Sequence, residues 1–300
     1  MKTHNYKPHI YHNVLGPVEP VLTVKPGDRI ITTTLDAHGY DSRLLKKAEK
    51  PNPMTGPFYV EGAEPGDTLL VHLESICPNR DTGWTSSVLR PNVVEPLFVN
   101  KLPEKEYREW KLDLQNRAVY LLNNEGKKAP EFSFAPMLGC IGVAPPEHQS
   151  ISTITCGSHG GNMDYKGIGE GITLHLPVFT EGALLFFGDG HAVQGDGEIT
   201  GTGVETSFDV QCTIQLHKEK AISWPRAETQ YVLLTIGNAS PVEKALQFAV
   251  TEMLRWLEND YAIDIEHASH MLGLAAEFDV GNIISPDCTM VCKLRKSLFI

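Results

Sequence analysis

No stretch of about 18 consecutive apolar residues occurs in this chain, so no segment has the length and hydrophobicity of a membrane-spanning helix. Basic clusters are missing as well. Lys and Arg number 26 against 37 Asp and Glu, a formal net charge of −11, and the cations never gather on one helical or strand face. Nucleic acid is therefore not an expected partner, because phosphate binding needs a concentrated basic surface. The segment Met1 to Tyr11 lacks the apolar core of a secretory signal, and the expected location is the cytoplasm. Cysteine is sparse: six in 300 residues do not make a disulfide framework. Cys288 and Cys292 would share one face of a strand about 13 Å apart. That spacing is too wide to chelate one ion, so the thiols read as buried and free.

Nucleophile signatures are also absent. There is no Gly-x-Ser-x-Gly elbow. Cys140 lies among apolar neighbours in LGCIG with no base nearby in sequence, which reads as core. Serine and cysteine chemistry thus fall behind metal chemistry.

What is present is ample apolar material, 41% of the residues, enough for one large domain or two lobes sharing an interface. Up to about Asn238 the chain reads as short strands punctuated by Pro and Gly. Arg29–Leu35, Thr68–Leu73, Ala118–Leu122, Gly171–Val178, Ala183–Phe187, Ser207–Leu216 and Gln230–Ile236 carry the pattern, several alternating apolar and polar residues. After Asn238 the period changes. Ser240-Pro241 with Glu243 predicts a helix start, and Ala245, Phe248, Ala249, Met253, Trp256 and Leu257 recur at helical spacing. Asp264 predicts a second N-cap, with a helix to about Leu274 and a last strand Thr289–Leu294. The expected fold is mainly β: a β-sandwich-like body over residues 1–238 with a small α+β C-terminal subdomain over 239–300.

One local echo recurs. Lys25-Pro26-Gly27-Asp28 and Glu64-Pro65-Gly66-Asp67 each precede a strand, and Thr180-Glu181-Gly182 plays a similar part. Pro and Gly suit the middle of a β-turn. Strands launched from such turns end together, where sites are often built.

Two of these strands lead into Asp-x-His: Asp36-Ala37-His38 and Asp189-Gly190-His191. In extended chain, residues two apart project to the same side, so each pair can present a carboxylate and an imidazole together. That donor set suits zinc and similar divalent ions. The alternative is a turn Asp beside a packed His. A second cluster, Ser158-His159-Gly160-Gly161-Asn162-Met163-Asp164, crowds polar groups around tandem glycines and can supply a ligand and a donor to a substrate oxygen, or else form a plain Asx turn. A third, Gly188 to Glu205, is rich in Gly, Asp and Glu but lacks EF-hand spacing and the paired His of a cupin. It reads as a long loop lining a site.

Four longer strings settle a likeness. Asn52-Pro53-Met54-Thr55-Gly56-Pro57 running into Tyr59 to Leu69, GCIGVAP at 139–145, GGNMD at 160–164 and GDGHAVQGDGE at 188–198 occur in the order found in the acetamidase/formamidase family, which this chain resembles. The resemblance implies a sandwich-like β fold, oligomers, a divalent metal (often zinc), and hydrolysis of formamide, acetamide or similar short amides to carboxylate and ammonia. Carried onto this chain, the functional positions match Asp36, Glu61, Asn162, Asp164, Asp189 and His191. The chemistry then expected is metal at Asp36, His38, Asp164, Asp189 and His191, with Glu61 as general base and Asn162 stabilising the oxyanion. Zinc is the ion expected first, calcium or another divalent ion next. The expected partners are a small amide and further copies of the chain, most simply in a dimer. Two other readings stay open: hydrolysis of another C–N bond, as in a cyclic imide or ureido acid, and a non-catalytic β-sandwich binding protein with a structural cation.

Overall fold

The computed structural model describes residues 1–122 and 128–299, and the mainly β architecture expected from the sequence is the one found. Among the described residues the strands fall mainly into two large sheets, one of nine strands and one of eleven. Alternation decides which face of each strand is buried. Along Phe208–His217, Phe208, Val210, Cys212 and Ile214 point inward while the residues between them stay more accessible. These side chains meet Ile30, Leu69, Val71 and Leu73 and, from the eleven-stranded sheet, Val24, Leu138, Ile141, Leu185 and Phe187 in one core. Each fully buried aliphatic or aromatic side chain contributes about 1.5–3 kcal/mol by leaving water, so this layer between the sheets is the main source of stability.

The two helices cover the other face of the nine-stranded sheet. Val232–Ala239 and Cys288–Arg295 pair antiparallel at one side of it. Leu234 and Ile236 feed the main core, whereas Leu233 and Cys292 face Ala249, Met253, Trp256 and Leu257 of the helix Val242–Tyr261. The strand and helix touch backbone to backbone. A Cβ on Gly237 would stand 2.0 Å from the carbonyl oxygen of Ala245, so only glycine permits this approach. The first helix starts one residue beyond expectation: Pro241, not Ser240, holds the cap position, with no side-chain cap. Asp264 caps the second helix, Ile265–Ala275, accepting from the backbone N–H of His267 at 3.0 Å.

The repeated turns explain themselves once the acids are followed. Asp28 N–H bonds to the Lys25 carbonyl and Asp67 N–H to the Glu64 carbonyl, closing both turns. Each carboxylate then folds back: Asp28 accepts from the backbone of Lys2 and Lys25 and pairs with His4 at 2.9 Å, and Asp67 accepts from the backbone of Glu64 and Glu219 and from Lys218. The third turn closes through Ala183 N–H to Thr180. There the strand begins at Leu185, two residues later than expected, because Ala183 and Leu184 adopt left-handed backbone with φ of 58° and 59°.

Asp28 gives the fold a defined acid limit. The His4 hydrogen bond, with the two backbone donors, outweighs its burial and holds its pKa down to about 2. Its ionised form is thus favoured by folding, so the contribution is complete above the ordinary carboxylate pKa near 3.8 and disappears as pH falls through about 2. Urea unfolding of Asp28→Asn should show a stability deficit at pH 6 that narrows steadily between pH 4 and pH 2. A deficit independent of pH would remove the ionised Asp28 from this role.

Candidate metal centre

Leu185–His191 is wholly buried and pairs with Met137–Gly142 in one register, the pairing interrupted at a single position between Leu138 opposite Gly190 and Cys140 opposite Gly188. Asp189 sits opposite Gly139 with φ of 55°, a left-handed residue inside a strand. Gly139 makes room for it. A Cβ there would lie 2.5 Å from Asp164 Oδ1 and 3.0 Å from Asp189 Oδ2. The missing side chain is therefore the space in which two carboxylates meet. Asn52, Asp164 and Glu198 also have positive φ, of 38°, 43° and 49°. Left-handed backbone costs a non-glycine residue roughly 1–2 kcal/mol, and such strain collects where surrounding contacts hold it for a function.

Those contacts are amides. Asn52 Nδ2 donates to Asp189 Oδ2 and to Asn162 Oδ1, both at 2.8 Å. Asn162 Nδ2 in turn donates to Asp164 Oδ2 at 2.5 Å, and Asn282 Nδ2 donates to the same oxygen at 2.7 Å. Each carboxylate thus has one oxygen tied down. The other oxygens, Asp164 Oδ1 and Asp189 Oδ1, are buried without any hydrogen-bond partner.

His191 is fixed in the same way. Gln194 Nε2 donates to the Asp164 carbonyl at 2.6 Å, so its Oε1 is left to accept from His191 Nδ1 at 2.7 Å. In the uncharged ring this leaves the lone pair on Nε2. Nε2 lies 3.0 Å from Glu205 Oε1 and 3.7 Å from Asp189 Oδ1, yet forms a well-aligned hydrogen bond with neither. Glu205 Oε2 is likewise unpartnered. Two overlapping groups result, Asp164–Asp189–His191 and His191–Glu198–Glu205, each with ligand atoms within 4.8 Å of one another.

The electrostatics are those of acids short of a counter-charge. Burial, with Glu198 and Asp189 close by, pushes Asp164 well up. Burial likewise pushes Glu198 and Glu205 up to about 8. For His191 burial pulls downward, but Glu205 and Asp189 overcome it and hold the ring well above its ordinary value. Buried polar groups without partners are costly, and a divalent cation would answer the free oxygens and the Nε2 lone pair together. By orphaned donor atoms, vacant glycine space and donor chemistry, these residues fit a metal ion.

Not all the expected residues gather here. Asp164, Asp189 and His191 converge, with Asn162 bonded to them. Asp36 does not join: it is buried under Arg80, whose Nη2 lies 2.6 Å from Oδ2, and its Oδ1 accepts from the backbone of His38 and Tyr40. This is the turn alternative for that Asp-x-His pair. His38 stacks on Trp84 with ring centroids 3.9 Å apart, on the wall of a cavity of about 410 Å³ that also reaches Asn162, Asp189, Glu198 and Glu205. Glu61 lies outside that cavity, exposed and paired with Lys25 at 3.2 Å. His159 is buried with Nε2 unpartnered, and burial lowers it to about 4. Sequence reading did not single out Glu198, Glu205, Asn52, Gln194 or Asn282. The stretch Gly188–Glu205, expected as one long loop, has strands at both ends: Glu198 lies in the loop between them and Glu205 on the strand Glu205–Thr206, while Asn52 begins the string Asn52–Pro57.

The chain is similar to known acetamidases and formamidases. The model of the Acetamidase/Formamidase family matches residues 2–150 and 146–250. The crystal structure of an acetamidase from Yersinia enterocolitica superposes with a TM-score of 0.86 at 33% identity, covering 99% of this chain and 93% of that one. A predicted acetamidase/formamidase from Thermoanaerobacter tengcongensis gives 0.85 at 28%, covering 99% and 97%. The formamidase of Methylophilus methylotrophus is 26% identical over 64% of this chain, and the match spans only 60% of that longer relative.

The vacant space at Gly139 gives a direct test. Gly139→Ala should weaken zinc binding by at least tenfold, as should Asn52→Ala, which frees Asp189 and Asn162. Calorimetric zinc titration of the chelator-treated protein measures this, with circular dichroism to show the fold retained. Parent-like affinity in both folded variants would sink the site.

Proposed function

This chain belongs to the acetamidase/formamidase family, and on that footing we propose that it hydrolyses a small linear primary amide, such as formamide or acetamide, to a carboxylate and ammonia. The observation that carries the reading is the convergence of unpartnered buried ligand atoms beneath an open cavity. Asp164, Asp189 and His191 hold the divalent ion in this proposal. Zinc is the preferred ion, since an imidazole among carboxylates falls in its ligand set, whereas calcium favours oxygen alone. When bound, the ion polarises the amide carbonyl and makes a nearby water easier to deprotonate.

The chain's own groups supply the rest. Glu205 Oε2, unpartnered and on the cavity wall, takes the proton of the attacking water and delivers it to the departing nitrogen. A C–O bond forms, the C–N bond breaks, and nitrogen leaves as ammonia rather than as an amide anion. Glu61 is too remote for this role, since it faces solvent beside Lys25. Asn162 has a second N–H not committed to Asp164, placed to donate to the carbonyl oxygen as charge grows there.

The division at residue 238 becomes a proposal about labour: the β body supplies the ligands, and the C-terminal part locks Asp164 through Asn282. We also assign a cytoplasmic homo-oligomer, a dimer first. Six unpaired thiols fit a reducing compartment, and exposed Leu274 and Phe278 offer apolar contact area.

Ammonia release from formamide, acetamide and propanamide should vanish on chelation and return with zinc or another divalent ion. Asp189→Asn should lower metal content and turnover together, by at least a hundredfold in kcat. No release with any restored metal would overturn the amidase reading.

A further inference from the structure

The cavity above the centre is larger and more sharply polarised than formamide requires. A water in the liquid occupies about 30 Å³, so an amide of three or four heavy atoms fills on the order of 100 Å³ of the roughly 410 Å³ present. The remaining space has a definite chemistry. All three acids that line it, Asp189, Glu198 and Glu205, are buried at its floor, and among the described residues no exposed carboxylate reaches its walls. The rim instead carries Lys50, Arg90 and Lys105.

None of these three cations has a salt-bridge partner among the described residues, although the chain has a net charge of −11. Two of them are positioned. Arg90 is anchored by its N–H to the Ile199 carbonyl at 2.8 Å, and its side chain lies across Gly201, where a Cβ would meet Cδ at 2.9 Å. Lys105 Nζ sits 5.3 Å from the ring centroid of Tyr107. Tyr107 stands edge-on to the stacked His38 and Trp84, at 5.4 and 5.2 Å. An apolar wall therefore joins the acid floor to the basic rim.

We propose that the substrate is a primary amide carrying a carboxylate a few carbons away, its amide over the acid floor, its methylenes along Trp84 and Tyr107, and its carboxylate among Lys50, Arg90 and Lys105. The assignment deepens the amidase reading and rests on it. A neutral tail would leave the three cations unanswered. A cationic tail would meet like charge at the rim. An anion seated among the rim cations leaves the amide end for the floor, so the rim charge fixes which end of the molecule enters first.

The test compares succinamate with 4-oxopentanamide, in which a methyl group replaces one carboxylate oxygen. Metal-loaded enzyme should show at least tenfold higher kcat/KM for ammonia release from succinamate at low salt. The advantage should shrink at 0.5 M salt, where the screening length falls well below the roughly 10 Å found at 0.1 M. Combined Lys50→Gln, Arg90→Gln and Lys105→Gln substitution should cut the ratio of the two kcat/KM values at least tenfold. Calorimetry on chelator-treated protein gives a second readout: succinamate should bind more tightly than 4-oxopentanamide, and the triple variant should lose the difference. Turnover of both amides at equal kcat/KM, insensitive to salt and to the triple variant, would overturn the anionic subsite and leave the amidase reading intact. Selective binding of succinamate with no ammonia from any amide would do the reverse.

Discussion

Four carboxylates buried around one imidazole repel each other in a medium that cannot screen them. Asp164, Asp189, Glu198 and Glu205 lie close enough to His191 that protons or a cation must neutralise the group. Much of the surrounding architecture holds these groups together against that repulsion. Gly139 vacates the space, left-handed backbone at Asp164, Asp189 and Glu198 aims the acids, and side-chain amides tie down the oxygens that face away. The sandwich core lends the rigidity. Leu185–His191 is buried along its whole length, so Asp189 cannot relax toward solvent without breaking the packing of Phe186 and Phe187.

The strands that could be read in the sequence were those whose alternation is clean. Phe208–His217 and Arg29–Thr33 lie with one face in the core and one less buried, which is what period-two patterning records. Thr55–Val60, Met137–Gly142 and Gly160–Asn162 carried no such signal. Both faces of these strands are covered, and their Pro and Gly residues imitate turn composition. Those same glycines are why the site lies where it does, so the feature that hid the strands is the one that made space for the acids.

The site divided along similar lines. Asp189 and His191 were legible because they are close in sequence and similarly oriented, and Asp164 because its loop is crowded with polar residues. The related pair at Asp36 and His38 has the same spacing and a different fate, decided by Arg80, which lies 44 residues away and takes the carboxylate. Glu198 carries no periodic mark inside a loop, and Glu205 opens a strand of two residues, too short to show one. Asn52 and Asn282 reach the two aspartates across more than 100 residues, and no local pattern encodes that.

Those long spans bear on how the molecule comes to exist. Asn52 reaches across 137 residues to Asp189, and Asn282 across 118 to Asp164. The sheets join segments at least as far apart, with Asp209 opposite Thr33, so the amides reach the acids through the same long-range pairing that builds the core. A partly folded chain therefore holds the acids without the amides that aim them, and has no cradle for an ion. An ion held at this centre would be captured only by molecules whose distant segments have already met. Such binding would draw the remaining population toward the finished fold by mass action. An ion at this centre would in this way favour completed assembly, whatever its part in the chemistry.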